Sequence, residues 1–222
     1  MKILSTKSYI AAELVVLMLL IPAAIMHFHL IRYMLPTLWV IAIYCLWVHR
    51  HTTGETLRHI WGGVAVTRAV LKPILVRLAL CAVFLTVATM LLLPERLLSL
   101  LLERPALWVL IMCLYPILSV IPQEIIFRLH FFTRYKHIFK TNELMIIASG
   151  LAFGMAHIIF ENWVAPLLTA VGGILFAMTY ARKRSLALVS LEHALYGDFI
   201  FTIGLGYYFY HGSVQAIAAA AN

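Results

Sequence analysis

Inside otherwise apolar sequence, residues 123 to 198 carry a small set of side chains that handle protons: Gln123, Glu124 and Arg128, then His157, then Glu192, His193 and Asp198. A carboxylate and an imidazole that face one water can share its proton, and donors aimed at a developing negative charge stabilise it strongly where bulk water is excluded. Acid–base work on a buried water is the chemistry such a set can support. An ionised side chain in a membrane segment is unfavourable by at least a few kcal/mol, so each charged group here is by default functional, with a partner to be found.

The elements that must hold these groups are membrane helices. Hydrophobic residues make up 64% of the sequence and charged residues 12%, far from the balance of a soluble domain. Apolar runs close to bilayer-crossing length recur at residues 9–26, 34–49, 73–93, 105–127, 144–160, 164–181 and 186–203, with a weaker run at the C-terminus. The expected fold is all-α: a polytopic bundle of seven or eight transmembrane helices in a single membrane domain, residues 1–222, with a polar site buried between helices. The first run follows only Lys2 and Lys7 and lacks a small-residue cleavage site, so it reads as a retained helix. Cys45, Cys81 and Cys113 each lie in an apolar run without paired or metal-type spacing, and read as reduced packing residues.

The net charge of +8 is distributed by topology. With a cytoplasmic N-terminus, one set of loops receives twelve Lys and Arg (Lys2, Lys7, Arg50, Arg58, Arg68, Lys72, Arg134, Lys136, Lys140, Arg182, Lys183, Arg184) and the other set three (Arg32, Arg96, Arg104). That asymmetry follows the positive-inside rule and points to anionic lipid rather than nucleic acid as the partner of the basic charge. Within residues 49–73, too polar to span, Leu57, Ile60, Trp61 and Val64 recur at helical spacing and predict a helix on the cytoplasmic surface. Residues 94–105 predict a short amphipathic turn on the opposite face. Arg77 follows Lys72 and Pro73 closely enough to snorkel to the interface.

Connectivity brings the proton-handling groups to one level. If residues 105 to about 138 form one helix and the chain turns at Lys140–Asn142, Glu124 lies sixteen residues before Lys140 and His157 seventeen after it. Antiparallel helices joined by a short turn place such positions side by side. With Arg134 at the cytoplasmic interface, a rise of 1.5 Å per residue sets Glu124 roughly 15 Å deep and His193, nine residues beyond Arg184, about 14 Å deep. Gly150, Gly154 and His157 share one helical stripe, and the small residues let a neighbouring backbone approach. Glu124 and Arg128, four apart, can form an ion pair on one face.

At these residues the chain resembles the CAAX prenyl endopeptidase and bacteriocin-processing (CPBP or Abi) intramembrane proteases. The first motif of that family, Glu-Glu-x-x-x-Arg, appears as Gln123-Glu124-Ile125-Ile126-Phe127-Arg128. The second, Phe-x-x-x-His, is met by Phe153 and His157, and the third, His-x-x-x-Asn, appears as His193-Ala194-Leu195-Tyr196-Gly197, followed by Asp198. The wording HALYGD is similar to a bacterial subset linked to C-terminal sorting signals. The resemblance, spread over residues 105–203, implies a glutamic-type endopeptidase of the bacterial cytoplasmic membrane with no metal and no cofactor. Its substrate would be a membrane-associated protein or peptide tail, entering from lipid or from the cytoplasmic edge. Carried over by position, Gln123 and His157 would hold the water, His193 would donate to the oxyanion, and Glu124 and Arg128 would brace the helix, with Phe153 and Asp198 in support.

Two positions depart from the family pattern. A neutral amide cannot act as a general base, so Gln123 orients a water without activating it. The chain is then a disabled variant of an active protease, the preferred reading because the change is isosteric, or a natural pseudoprotease that binds peptide without cutting it, or a protease in which Glu124 takes over. The last needs a helix distortion that Pro122 could supply. Gly197 stands where the family has Asn, and Asp198 reaches the site only if Gly197 loosens the turn; otherwise it orients His193 or another polar group. Other function classes are weaker. A zinc protease using Glu124, His157 and His193 lacks a His-Glu-x-x-His helix, and a small transporter lacks paired broken helices. Glu192 is expected to pair with an adjacent helix, Glu161, Asn162 and Trp163 to mark the far interface, and His27, His29, His49, His51, His59, His130, His137 and His211 to occupy loops or helix ends without chemistry.

Overall fold

The computed structural model describes residue 4 and residues 6–62 and 67–209, and among these residues the fold is entirely helical. Six helices are long and apolar enough to cross a membrane: α1 Lys7–His27, α2 Ile31–Thr53, α4 Arg68–Leu92, α6 Pro105–Arg134, α7 Asn142–Phe160 and α8 Val164–Lys183. A shorter seventh, α9 Leu186–Thr202, is largely buried among them. Short helices α3, Leu57–Trp61, and α5, Ser99–Glu103, lie in the connections. The chain is an integral membrane protein. The C-terminal apolar run, His211 and Val64 lie outside the described residues.

Sequence signals set the helix ends. Thr141 precedes α7 in extended conformation and its hydroxyl accepts the Leu144 N–H, and Ser185 does the same for Leu188 at the start of α9, satisfying donors that have no partner within the helix. Pro105 opens α6, where its missing N–H costs nothing. The predicted surface helix over 49–73 is reduced to the short α3, because Gly62 ends it with φ of 73° and lies against Ser185, leaving no room for a side chain. Arg58, His59 and Trp61 are exposed and Ile60 is buried, so α3 lies on the surface with one side against the start of α9, where Ser185 Oγ donates to the Trp61 carbonyl.

The second half of α6 is the axis of the bundle. Every residue from Pro122 to Phe132 is buried, while large apolar side chains such as Leu80, Phe84 and Leu91 on α4 face outward. Helix α6 ends at Arg134, four residues short of the expected end, and is not a uniform α-helix: wide π-type turns occupy Pro116–Val120 and Ile125–His130, with Gln123 and Glu124 on the ordinary turn between them. Such turns absorb an extra residue and rotate the helix beyond them, and they concentrate at functional sites. Helices α7 and α8 pack closest. A Cβ built at Gly154 would come within 2.8 Å of Ala170 Cβ and Pro166 O, so only hydrogen fits at that crossing.

Candidate active site

Glu124 is fully buried on α6 and bridges two helices. Its Oε2 lies 3.3 Å from Arg128 Nε, and its Oε1 lies 2.8 Å from His193 Nδ1 on α9. Beside the guanidinium Glu124 is a carboxylate, so it accepts the Nδ1 proton and leaves Nε2 of neutral His193 as an acceptor. Tyr115 Oη is 3.0 Å from that Nε2 and donates to it. The Arg128 charge is further held by the Gly173 carbonyl at 3.1 Å and by the faces of Phe153 and Phe176, with ring centroids 4.8 and 5.6 Å away. Phe153 also meets the His193 and His157 rings edge-on, at 5.3 and 4.7 Å.

Neighbouring Gln123 faces a different environment. Its Nε2 donates to Ser119 Oγ at 2.6 Å, and its Oε1 is buried with no hydrogen-bond partner among the described residues. His157 lies on the tight last turn of α7 and donates Nδ1–H to the carbonyl of Phe153 at 2.7 Å, which leaves Nε2 with its lone pair. Gln123, His157, His193 and Tyr115 all line one cavity of about 650 Å³. Glu124 does not line it. The structure therefore gathers Gln123, Phe153, His157 and His193 around one space and places Glu124 and Arg128 behind them. Because Glu124 is turned away and engaged on both oxygens, the arrangement gives no support to its replacing Gln123 as base.

The cavity is asymmetric across the membrane. It takes residues from the Arg-poor ends of the helices: Leu17 to Ile25 of α1, Met34 to Ile41 of α2, Leu110 to Phe127 of α6, Phe153 to Phe160 of α7, Leu167 to Phe176 of α8 and His193 to Phe201 of α9. Phe84, Leu118 and Val171 on its wall are outward-facing residues, so it also reaches the lipid surface.

Segment 105–197 matches the family model for type II CAAX prenyl endopeptidase, Rce1-like. That segment, under half of the chain, is similar to the CAAX-protease family. No curated protein and no solved structure matches the chain. The matched segment opens at the first residue of α6 and closes at Gly197, so it contains all three motif stretches and the cavity wall between them.

Several expectations about polar residues change. Arg77 does not snorkel: it turns inward and bonds Thr179 at 2.7 Å and fully buried Glu192 at 2.8 Å, because that carboxylate offers an interior counter-charge. Glu192 thus pairs with an adjacent helix, as its facing suggests. Arg134, where the α6 span ends, is buried against Glu13 of α1. The Asp198 side chain does not orient His193. Both His193 nitrogens are taken by Glu124 and Tyr115, α9 continues regularly past Gly197, and the buried Asp198 Oδ1 has no hydrogen-bond partner among the described residues. Asn162 caps α8 by accepting the Ala165 N–H at 2.9 Å, and neighbouring Glu161 meets His29 at 3.1 Å. His130 belongs to the buried Glu13 cluster rather than to a helix end in solvent. Among the described residues no three His, Cys, Asp or Glu side chains converge as metal ligands. Tyr115 and Ser119 escape sequence reasoning, since a Tyr and a Ser in an apolar run read as packing.

Proposed function

We propose that this protein is an intramembrane endopeptidase in which Gln123 and His157 hold the attacking water and His193 stands at the oxyanion side, the amide at 123 making this form impaired. The observation that carries the reading is the shared cavity, which Gln123 and His157 both line, with Gln123 Oε1 lacking a hydrogen-bond partner among the described residues and His157 Nε2 keeping its lone pair. A water bridging them gives its proton to His157 while its oxygen bonds to the scissile carbonyl carbon. The carbonyl π pair moves onto oxygen, on the side of the cavity where His193 and its partner Tyr115 stand. Collapse then breaks the C–N bond, and the proton on His157 goes to the leaving nitrogen. With glutamate at 123 the water would meet a carboxylate and an imidazole together, and Ser119 would donate to that carboxylate.

The cavity's position supports a substrate that arrives through lipid, or from the membrane face opposite the basic loops, rather than at the cytoplasmic edge. We place the N-terminus in the cytoplasm of a bacterial cell, with the basic loops on anionic lipid and a membrane-associated protein or its C-terminal tail as substrate. The test is cleavage by the chain as written and by Gln123→Glu, in bilayers, of a membrane peptide with its tail on either face, read by mass spectrometry. Gln123→Glu is expected to cut about 10²-fold faster or more, the usual contribution of a general base, and at tails on the Arg-poor face. A Gln123→Glu protein that binds the peptide and never cuts it would favour a second reading, a non-catalytic peptide binder, which the uncharged amide at 123 makes worth keeping.

A further inference from the structure

His193 and Gly197 lie one turn apart on α9, and at Gly197 the third motif has lost its polar side chain. The space is not empty. A Cβ built at Gly197 would fall inside the ring edge and hydroxyl of Tyr115, so residue 197 must lack a side chain for Tyr115 to stand where it does. Tyr115 reaches this place from another helix, braced edge-on by Phe201 at 5.2 Å, and its hydroxyl lies 3.0 Å from His193 Nε2 on the cavity wall. Eight residues of ideal α-helix would leave Tyr115 roughly 80° out of line with Gln123; one wide turn absorbs a residue and brings the two within about 20°. That turn is the π-type stretch Pro116–Val120 between them.

We propose that Tyr115 supplies the hydrogen-bond donor that Gly197 cannot, completing the oxyanion side of the site together with His193. This rests on the protease reading of the cavity. Neutral His193 has no proton to offer there, because Nδ1–H is committed to Glu124 and Nε2 accepts from Tyr115. The phenol needs no change of protonation state. Its O–H turns about the C–O bond from Nε2 to the substrate oxygen as charge develops on it, and the freed Nε2 is then open to a proton.

Two arms test this. In the Gln123→Glu background, with a synthetic peptide of one apolar span and a flexible tail, Tyr115→Phe is expected to lower kcat about 10²–10³-fold with little change in KM, the loss typical of one oxyanion donor. Tyr115→Ala with Gly197→Asn, which returns an amide donor to the vacated space, is expected to recover at least about 10-fold of that loss. A Tyr115→Phe kcat within about twofold of its parent, while the parent cleaves, overturns the proposal and leaves the protease reading standing. The second arm needs no cleavage. Gly197→Asn alone should lower the melting temperature and Tyr115→Ala should restore it, while in Tyr115→Phe the nitrogen resonance of His193 Nε2 should move toward that of an unbonded ring nitrogen. A Gly197→Asn protein as stable as the parent, or an unmoved Nε2 resonance, overturns the proposal even if no peptide is ever cut.

Discussion

Helix α6 carries two buried carboxylate–guanidinium clusters barely two turns apart, and they are built for different ends. At Glu124 the partner is Arg128 on the same helix at 3.3 Å, with His193 bonded to the other oxygen. At Arg134 the partner is Glu13 on α1 at 2.6 Å, joined by a hydrogen bond from Tyr44, by the Leu4 carbonyl, and by His130 at 3.7 Å. Both pairs are almost wholly inaccessible. Only the first backs onto the cavity; Glu13, Tyr44, His130 and Arg134 are absent from its wall. Buried charge in a membrane helix therefore has two readings, a lock between helices or the rear support of a site. The deciding feature is whether a neighbouring polar residue lines a cavity, as Gln123 does.

The sharpest test of this contrast separates removal of one partner from removal of both. Glu13→Ala strands Arg134 and Glu124→Ala strands Arg128, and each is expected to cost about 3–5 kcal/mol, because an uncompensated charge is left in low dielectric. Unfolding in detergent would read the loss. Replacing both members by apolar side chains of similar volume removes that penalty, and stability should return to near the parent or above it. The two doubles then diverge in function. Glu13→Leu with Arg134→Met should leave cleavage by the Gln123→Glu protein intact. Glu124→Leu with Arg128→Met should fold and fail to cleave, because His193 loses the carboxylate that fixes its tautomer. Loss of cleavage in a well-folded Glu13/Arg134 double would erase the distinction between lock and site.

Sequence alone reveals one cluster and hides the other for a physical reason. Gln123, Glu124 and Arg128 are local, five residues or fewer apart, and the antiparallel return to His157 depends on one short turn, so spacing and helical rise suffice to bring them together. Glu13 meets Arg134 across 121 residues, and Arg77 meets Glu192 across 115; no periodicity reports such pairs. Arg77 and Arg134 accordingly read as interfacial, the default for a basic residue near a helix end. Tyr115 is hidden differently. Its alignment with Gln123 depends on a π-type turn that ideal helical geometry does not contain, although the glycine in the third motif is a visible sign of something else filling that space. The same irregularity limits the seven-helix outline least, because hydrophobic length survives a local change of pitch.

A smaller effect is expected where the site depends on backbone approach rather than charge. Gly154 on α7 faces Ala170 and Pro166 with no room for a Cβ, and His157 follows it by one turn. Gly154→Leu should cost about 1–3 kcal/mol through overpacking, and in the Gln123→Glu background it should lower cleavage beyond what the folded fraction explains, because α7 must move off α8 and carry His157 with it. Unchanged cleavage per folded molecule would show that His157 is held by its bond to Phe153 rather than by the helix crossing.

The smallest effect belongs to the outer face of α4, whose inner face delivers Arg77 to Glu192. Leu91 is 75% exposed, and in a bilayer its neighbours are acyl chains as apolar as itself, so removing its side chain forfeits little of the packing that holds membrane helices together. Leu91→Ala should change stability by no more than about 0.5 kcal/mol, whereas Leu129→Ala, at 2% exposure on the axis of the bundle, should cost about 2–5 kcal/mol by opening a cavity. Unfolding midpoints for the two variants, measured in the same detergent, fix the background against which both charge clusters are judged. A large cost at Leu91 would mean that this face packs on protein rather than lipid, and α4 would then position Arg77 from both sides.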